Sequence, residues 1–510
     1  MLSSGSATGV TYPDPGARPP ALVEPGQPVI SDMERDDLHR EVYRTQGKLT
    51  SCFGYDAMGR KAWQFASTLP AEKLSQVHNA GIHTSLLVEH AYNPIHRRYQ
   101  YDPAGELVRT LDKLRGEIKY QYEANGQLHS RDTGSLIGSE EFRYDPASNR
   151  LDFNARQFDK VKDNRIQQWR DQEYRYDPWG NLIEKRSGHS KLQNFSYDCE
   201  NRLVRAETLV NGKLEGTGAY RYDSLGRRIA KQAEINGEVE QKRFLWQGLR
   251  MLREETPRQS IVYLYEPGSY VPLARVDQAE GEAQKVYYFH TDQIGTPLEL
   301  TDSQGEIVWQ ATYRSWGTVE QLAVNSIEQN FRFQGQYDDP ETGLHYNTFR
   351  YYDAEVGRFI TQDPIGLTGS VNLYQYAMNP VIWIDPWGLS CSSDAKTLRA
   401  NMVAAGKSEP SFKNSAHHIV MSNSADVRMV ALQDKMKSMD IDINTAENGI
   451  FLPSNSKVKL PEGSTLPNHA SIHTNAYKQK VYDRLVSINN SGDFLGELNK
   501  ISSEIARGLF

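Results

Sequence analysis

Tyr174-Arg175-Tyr176-Asp177-Pro178-Trp179-Gly180-Asn181-Leu182 is the stretch whose reading decides the fold. Two rings spaced two residues apart share one face of an extended strand. Asp177 caps the local backbone with its side chain, and Gly180 accepts a positive φ, so the next four residues read as a turn. Leu182 resumes a strand. The same phrase recurs at Tyr55 (FGYDAMGR), Tyr101 (YQYDPAGEL), Tyr122 (YQYEANGQL), Tyr144 (FRYDPASNRL), Tyr197 (FSYDCENRL) and Tyr222 (YRYDSLGRR). From Tyr101 the successive gaps are 21, 22, 32, 21 and 25 residues. A period near 20 is that of a strand–turn–strand unit in a solenoid-like array, so stacked units would form a long antiparallel sheet lined by Tyr.

The rest of the chain frames that array. At 510 residues it exceeds one ordinary domain. Residues 1–35 are rich in Pro, Gly and Ser and read as a flexible leader. Mean hydropathy is −0.66, a figure that understates burial because the 28 Tyr pack like apolar residues while carrying a polar handle. Net charge is −7; the 14 Lys+Arg and 12 Asp+Glu from Ser390 onward leave a balance of +2 there and −9 upstream. An acidic body with a near-neutral tail argues against the whole chain coating nucleic acid or anionic lipid, and leaves room for a local basic groove in the tail. Cys52, Cys199 and Cys391 are far apart without CxxC spacing, so no disulfide framework or thiolate zinc site is expected. No membrane span and no Sec-type leader is expected either.

A second phrase occurs twice, as Asp363-Pro364-Ile365-Gly366-Leu367 and Asp385-Pro386-Trp387-Gly388-Leu389. The chain changes character directly after the second copy: aromatic turns stop and helical patterning begins. Helices are expected near 394–405, 424–439, 468–488 and 492–508, with short strands through 416–420 and 449–452. Four of the 13 His fall in this tail, at His417, His418, His469 and His473. His469 and His473 are spaced to share one helix face, which suits two imidazoles on one divalent metal. His417 and His418 on a strand would point to opposite sides. Lys457, Lys459, Lys478 and Lys480 bracket this region and are candidate phosphate contacts. Tyr477 reads as helix packing, and His290 and His345 as structural.

The repeat resembles the Rhs/YD-repeat family. Residues 286–389, from YYFHTDQIGTPLELTDSQGEIVW through FRYYDAEVGRFITQDPIGL to NLYQYAMNPVIWIDPWGL, resemble the Rhs-associated core. The resemblance implies a mainly β shell, a spiralling antiparallel sheet forming a closed or partial cage, with the array over 36–285 and the core over 286–389. It implies cutting after Leu389, between Leu389 and Ser390, by two aspartates helped by an arginine; the matching residues are Asp363, Asp385 and Arg350. Two carboxylates brought close share a proton, one activating water and the other protonating the carbonyl or leaving amine, and an arginine could hold one ionised through a bidentate contact. The 22-residue gap does not state their distance.

Residues 390–510 are similar to the HNH superfamily of ββα-metal nucleases, and within it the AHH group. The similarity rests on Ala416-His417-His418-Ile419, Asn448-Gly449-Ile450-x-Leu452-Pro453 and His469-x3-His473-x3-Tyr477. It implies a small α+β domain in which His417, His469 and His473 hold one divalent ion (Mg, Zn, Ni or Mn), His418 is the general base and Asn448 braces the loop. The function implied is an antibacterial toxin whose shell encloses a metal-dependent DNA endonuclease, made in the bacterial cytoplasm and delivered into a target cell by type VI secretion. Its implied partners are DNA, an immunity protein and a VgrG- or PAAR-type carrier. The competing readings are the same cage with an RNase cargo, and a non-enzymatic YD-repeat adhesion protein.

Overall fold

The computed structural model describes residues 30–69 apart from His39, Leu74, 93–152, 160–389 apart from Gly369, and most of 398–510. In that last stretch it omits 400, 404, 411, 413, 422–425, 440, 454–457, 459, 461–463, 465 and 468–473. The leader and Cys391 lie outside the described residues.

Ten strands between Asp32 and Asp152 form one sheet, and sixteen between Lys160 and Asn325 form a second. In both, each strand pairs with its sequence neighbour, the order expected of short turns, and this holds even across residues 68–94. The described YD turns share one backbone pattern, and those that open on Asp share its side-chain cap. At Asp223 the N–H donates to Arg227 O at 2.9 Å, and Gly226 N–H donates back to Asp223 O at 3.1 Å. Asp223 Oδ1 accepts the N–H groups of Leu225 and Arg227 at 2.9 and 3.0 Å. The pairing register slips by one residue at every repeat Tyr but Tyr144, for example between Arg221 and Tyr222, the signature of a bulge that bends and twists the strand.

The repeat Tyr has a second role that holds neighbouring units together. Tyr222 donates its hydroxyl to Leu203 O at 2.6 Å, and Tyr197 to Leu182 O at 2.6 Å. Tyr122 and Tyr144 do the same to Leu107 and Leu128, at 2.5 and 2.7 Å. Those four Leu are the strand-resuming residues of the preceding units, and each is buried. The Tyr122 and Tyr197 phrases therefore each carry both the donor and the acceptor of a staple between successive repeats. Tyr222→Phe is expected to cost about 1 kcal/mol of stability, measured by denaturant unfolding.

The first sheet curls over the second. Gln46 Nε2 donates to Leu273 O at 3.1 Å, Gln64 Nε2 to Thr291 O at 2.8 Å, and Lys48 N–H to Ser303 O at 3.1 Å. Buried Arg97 pairs with Asp112 at 2.8 Å and with Glu299. Residues 327–389, with a four-stranded sheet between Tyr337 and Phe359, then pack against both sheets. Lys231 meets Asp339 and Glu341 at 3.0 Å each, and Lys185 meets Asp353 at 2.7 Å, all buried. Asn379 Nδ2 donates to Glu106 Oε2 at 2.7 Å and Asn372 Nδ2 to Ala147 O at 3.0 Å. Glycine in the turns permits this close approach: a Cβ on Gly180, at φ 86°, would lie 2.4 Å from Gln362 Nε2 and 2.6 Å from the Tyr374 hydroxyl.

Three buried histidines of the shell are held neutral chiefly by desolvation: His96 and His345 titrate near 4, and His290 near 3. Their folded values lie below the ordinary 6.5. Their contribution is therefore complete above about pH 6.5 and is lost as pH falls toward 3–4, because the unfolded chain takes up the proton first. Burial pushes the Asp292 and Glu254 carboxyls up, which offsets part of this loss. His290→Gln removes one such group. Its unfolding free energy is expected to fall less steeply than wild type between pH 6.5 and 4.5, by up to about 1.4 kcal/mol per pH unit.

The tail is a small α+β unit. Strands Asn414–His418 and Gly449–Pro453 pair antiparallel, followed by helices Asn475–Leu485 and Ser491–Ala506, with Val427–Ser438 between the strands. Phe494, Leu498, Ile501 and Ile505 recur on one face of the last helix and are buried. They join Ile419, Val420, Leu432, Met436, Leu452, Val481 and Leu485 in one core. The helix expected over 468–488 begins at Asn475, because Thr474 has extended φ and ψ and accepts the Tyr477 N–H with its side chain. No described helix is long and apolar enough to cross a membrane.

Candidate functional site

Two groups of the predicted residues can be located. The first lies in the core segment. Arg350 ends a two-residue hairpin turn, paired with Asn347, and it is buried with Asp363 and Asp385. Its Nη2 lies 3.1 Å from Asp363 Oδ2 and 3.4 Å from Asp385 Oδ2. The structure thus brings the two aspartates to one guanidinium nitrogen, across 22 residues of chain. Arg350 does not form a bidentate fork on either carboxylate. Its Nη1 donates to Leu373 O at 3.1 Å, its Nε donates to Gly388 O, and its plane sits 3.6 Å above the Phe359 ring centre. Desolvation lowers the Arg350 pKa, and the two carboxylates oppose that effect.

The two carboxylates are placed differently. Asp385 Oδ1 accepts the Leu389 N–H at 3.1 Å, which ties it to the residue before the expected cut. Asp363 Oδ1 accepts the Ile365 N–H at 3.0 Å, while its buried Oδ2, among the described residues, accepts no hydrogen bond and has its ion contact with Arg350. Ser390 lies outside the described residues.

The second group lies in the tail. His417 and His418 are buried at the end of strand Asn414–His418, opposite Ile450 and Gly449. Strand alternation turns them to opposite sides. His417 Nε2 lies 3.4 Å from the Tyr477 hydroxyl, with the rings edge to face at 5.8 Å. His418 Nε2 lies 2.8 Å from Asn444 Oδ1. With that oxygen accepting, Nε2 carries the proton and Nδ1 is the basic nitrogen. Asn448 is fully buried. Its Oδ1 accepts the Val420 N–H at 2.7 Å, and its Nδ2 donates to Val420 O and Ile443 O at 3.0 and 2.7 Å. That side chain fastens the segment after His418 to the loop bearing Asn444.

Two contributors carried no motif in the sequence. Asn444 is one. Lys407 is the other: its Nζ donates to Ala446 O and Gly449 O at 2.7 Å each, clamping the turn that pairs with His418. Burial lowers its pKa. Of the predicted phosphate lysines, Lys478 lies 3.7 Å from Asp426 and Lys480 over the Phe510 ring, while Lys457 and Lys459 lie outside the described residues.

His469 and His473 also lie outside the described residues, so the structure does not test the three-histidine set. Among the described residues no group of three His, Cys, Asp or Glu could hold a metal ion. His417 nonetheless fits a divalent ion by donor chemistry. Its imidazole nitrogen faces Tyr477, four residues beyond His473, so strand and helix entry converge there.

Comparison with known proteins agrees with both halves of the chain. Residues 106–381 match the Teneurin YD-shell family model. Residues 398–505 match AHH, a nuclease family of the HNH/ENDO VII superfamily with conserved AHH. Double-stranded DNA deaminase toxin A of Burkholderia cenocepacia is 44% identical over 392 residues, covering 72% of this chain and 26% of that protein. Toxin protein Tse5 of Pseudomonas aeruginosa is 35% identical, covering 58% and 27%. Probable deoxyribonuclease RhsA of Dickeya dadantii is 31% identical, covering 61% and 22%. The chain spans about a quarter of the length of these curated relatives. With a YD-shell match over more than half its length and an AHH match behind it, the chain belongs to the Rhs/YD-repeat polymorphic toxin family and carries a C-terminal AHH domain.

Proposed function

We propose that this chain is a self-cleaving toxin: residues 36–389 form the shell and its core, and residues 390–510 are a metal-dependent DNA endonuclease enclosed by the shell and released by a cut after Leu389. For the cut, a water oxygen adds to the Leu389 carbonyl carbon and the bond to Ser390 nitrogen breaks. One water hydrogen ends on the new amine and the other on the new carboxyl group. Asp363 Oδ2, which accepts no hydrogen bond among the described residues, suits the general base. Asp385 holds Leu389 in place through its backbone N–H. Arg350 sets the charge between the two carboxylates and draws on Gly388 O.

The observation that carries the nuclease reading is His418, turned away from His417 and fixed through Nε2 by Asn444. His418 Nδ1 takes the proton of the attacking water, and the hydrogen bond to Asn444 steadies the imidazolium that results. Asn448 and Lys407 hold the loop that presents Asn444. His417, His469 and His473 would hold a divalent ion, which supplies positive charge against the phosphate when bound. Enclosure keeps such an enzyme from its substrate in the producing cell, and an immunity protein would guard that cell after release. A VgrG- or PAAR-type carrier would deliver the chain into the target cell.

The test is a nicking assay. Residues 390–510, separated from the shell by denaturing the cut chain and then refolded, are incubated with supercoiled plasmid or with tRNA, in EDTA or in Mg, Mn, Ni or Zn. Plasmid relaxation only with a divalent ion is the expected result. An untouched plasmid with every ion would overturn the reading, and degraded tRNA beside intact plasmid would transfer it to an RNase.

A further inference from the structure

Asp363–Leu367 and Asp385–Leu389 share one skeleton and one guanidinium, yet the reading above has only the second cut. The structure holds the two phrases differently. Four successive carbonyls of the second phrase each take a hydrogen bond from four successive residues of one hairpin tip. Asn347 Nδ2 donates to Asp385 O at 2.9 Å, Thr348 Oγ1 to Pro386 O at 3.5 Å, Phe349 N–H to Trp387 O at 3.2 Å, and Arg350 Nε to Gly388 O. The fit is close enough to require glycine on both sides. A Cβ on Gly388, at φ 68°, would lie 2.5 Å from Asn347 O, and one on Gly335 would lie 2.0 Å from Pro386 O.

The first phrase closes largely on itself, with Ile365 N–H on Asp363 Oδ1 and Gly366 N–H on Asp363 O at 2.9 Å; beyond it, Asp363 N–H donates to Leu373 O at 2.8 Å and Asp363 Oδ2 meets Arg350. The chain then coils into a 3-10 turn over Gly366–Thr368, and among the described residues no donor of the hairpin tip reaches a carbonyl of this phrase. Leu367 is 73% exposed. The tip itself is strained: Thr348, buried and β-branched, sits at φ 52°, a region that suits glycine. Strain of this kind persists where surrounding contacts enforce it and clusters at sites of chemistry.

We propose that the Asn347–Arg350 tip is a register template that selects the second phrase for cutting, with Asn347 and Thr348 as positioning residues. This rests on the self-cleavage reading and adds how the bond is chosen. The template reads backbone carbonyls, so the residue between Pro and Gly in the phrase carries little of the selection. A displacement of about 1 Å at the reacting carbonyl slows such chemistry on the order of 100-fold.

The full chain, pulse-labelled in cell-free translation, is followed by gel and intact mass beside thermal melting. Asn347→Ala is expected to slow the cut by about 10- to 100-fold. Asn347→Asp keeps the shape but turns the donor into an acceptor facing Asp385 O, and is expected to leave the chain whole. Thr348→Gly is expected to slow the cut while raising the melting temperature, a split that a merely structural residue would not give. Wild-type cutting rates in Asn347→Ala and Thr348→Gly, with Asp363→Asn uncut, would overturn the template and leave self-cleavage standing. A wild-type chain that is never cut would overturn both.

Discussion

Asp385→Asn is expected to leave the chain in one piece of 58.0 kDa, where the proposed cut would separate the wild type at Leu389. Asparagine keeps an oxygen for the Leu389 N–H, so the local turn should persist; what disappears is the negative charge facing Arg350 Nη2. A buried arginine then faces a single carboxylate, Asp363, which is bound more firmly as an ion and becomes a poorer base. Loss of a positioned acid or base costs about 100- to 10,000-fold in rate, enough to turn a cut completed during synthesis into none on a gel. Asp363→Asn should give the same outcome by a different route, removing the base itself. Arg350→Lys should also fail, because one ammonium cannot reach both carboxylates, Leu373 O and Gly388 O together. Intact mass separates enzymatic cutting from the known acid lability of Asp-Pro bonds, which would cut before Pro386. Cutting after Leu389 in Asp385→Asn at the wild-type rate would end the assignment of this carboxylate.

Much of the shell was legible because the YD phrase is local chemistry. Aromatic spacing sets a strand face, and Asp with Gly sets the turn, so both can be read in nine residues. The hydroxyl staple from Tyr222 to Leu203 O was not legible, since it appears only once neighbouring units pair in register. The contact of Arg350 with two aspartates was available from family resemblance alone, because nothing in a 22-residue spacing states a distance. In the tail, Thr474 was a readable cap, yet the 468–488 expectation ran through it. Asn444 and Lys407 left no signal. Each acts through one contact or two carbonyls created by the fold of the 442–449 loop, and no residue pattern announces such a contact.

His418→Ala should leave plasmid supercoiled under conditions where the wild type relaxes it, with the cut after Leu389 unchanged. The two sites share no residue, so the shell's chemistry serves as an internal control for folding. Removal of a positioned general base costs about 100- to 10,000-fold. Alanine also leaves Asn444 Oδ1 without its partner, a loss of roughly 1–3 kcal/mol in stability that a melting curve would report. Metal content separates the roles of the adjacent histidines. His417→Ala should lower bound metal as well as activity, because His417 is a proposed ligand. His418→Ala should lower activity alone, because its Nε2 is committed to Asn444 on the opposite side of the strand. Asn444→Asp should retain most activity, since a carboxylate accepts the same Nε2–H, whereas Asn444→Leu should lose most of it. If His418→Ala relaxed plasmid at the wild-type rate, the proton would have to leave water through some other group, and the second imidazole of this pair would be structural.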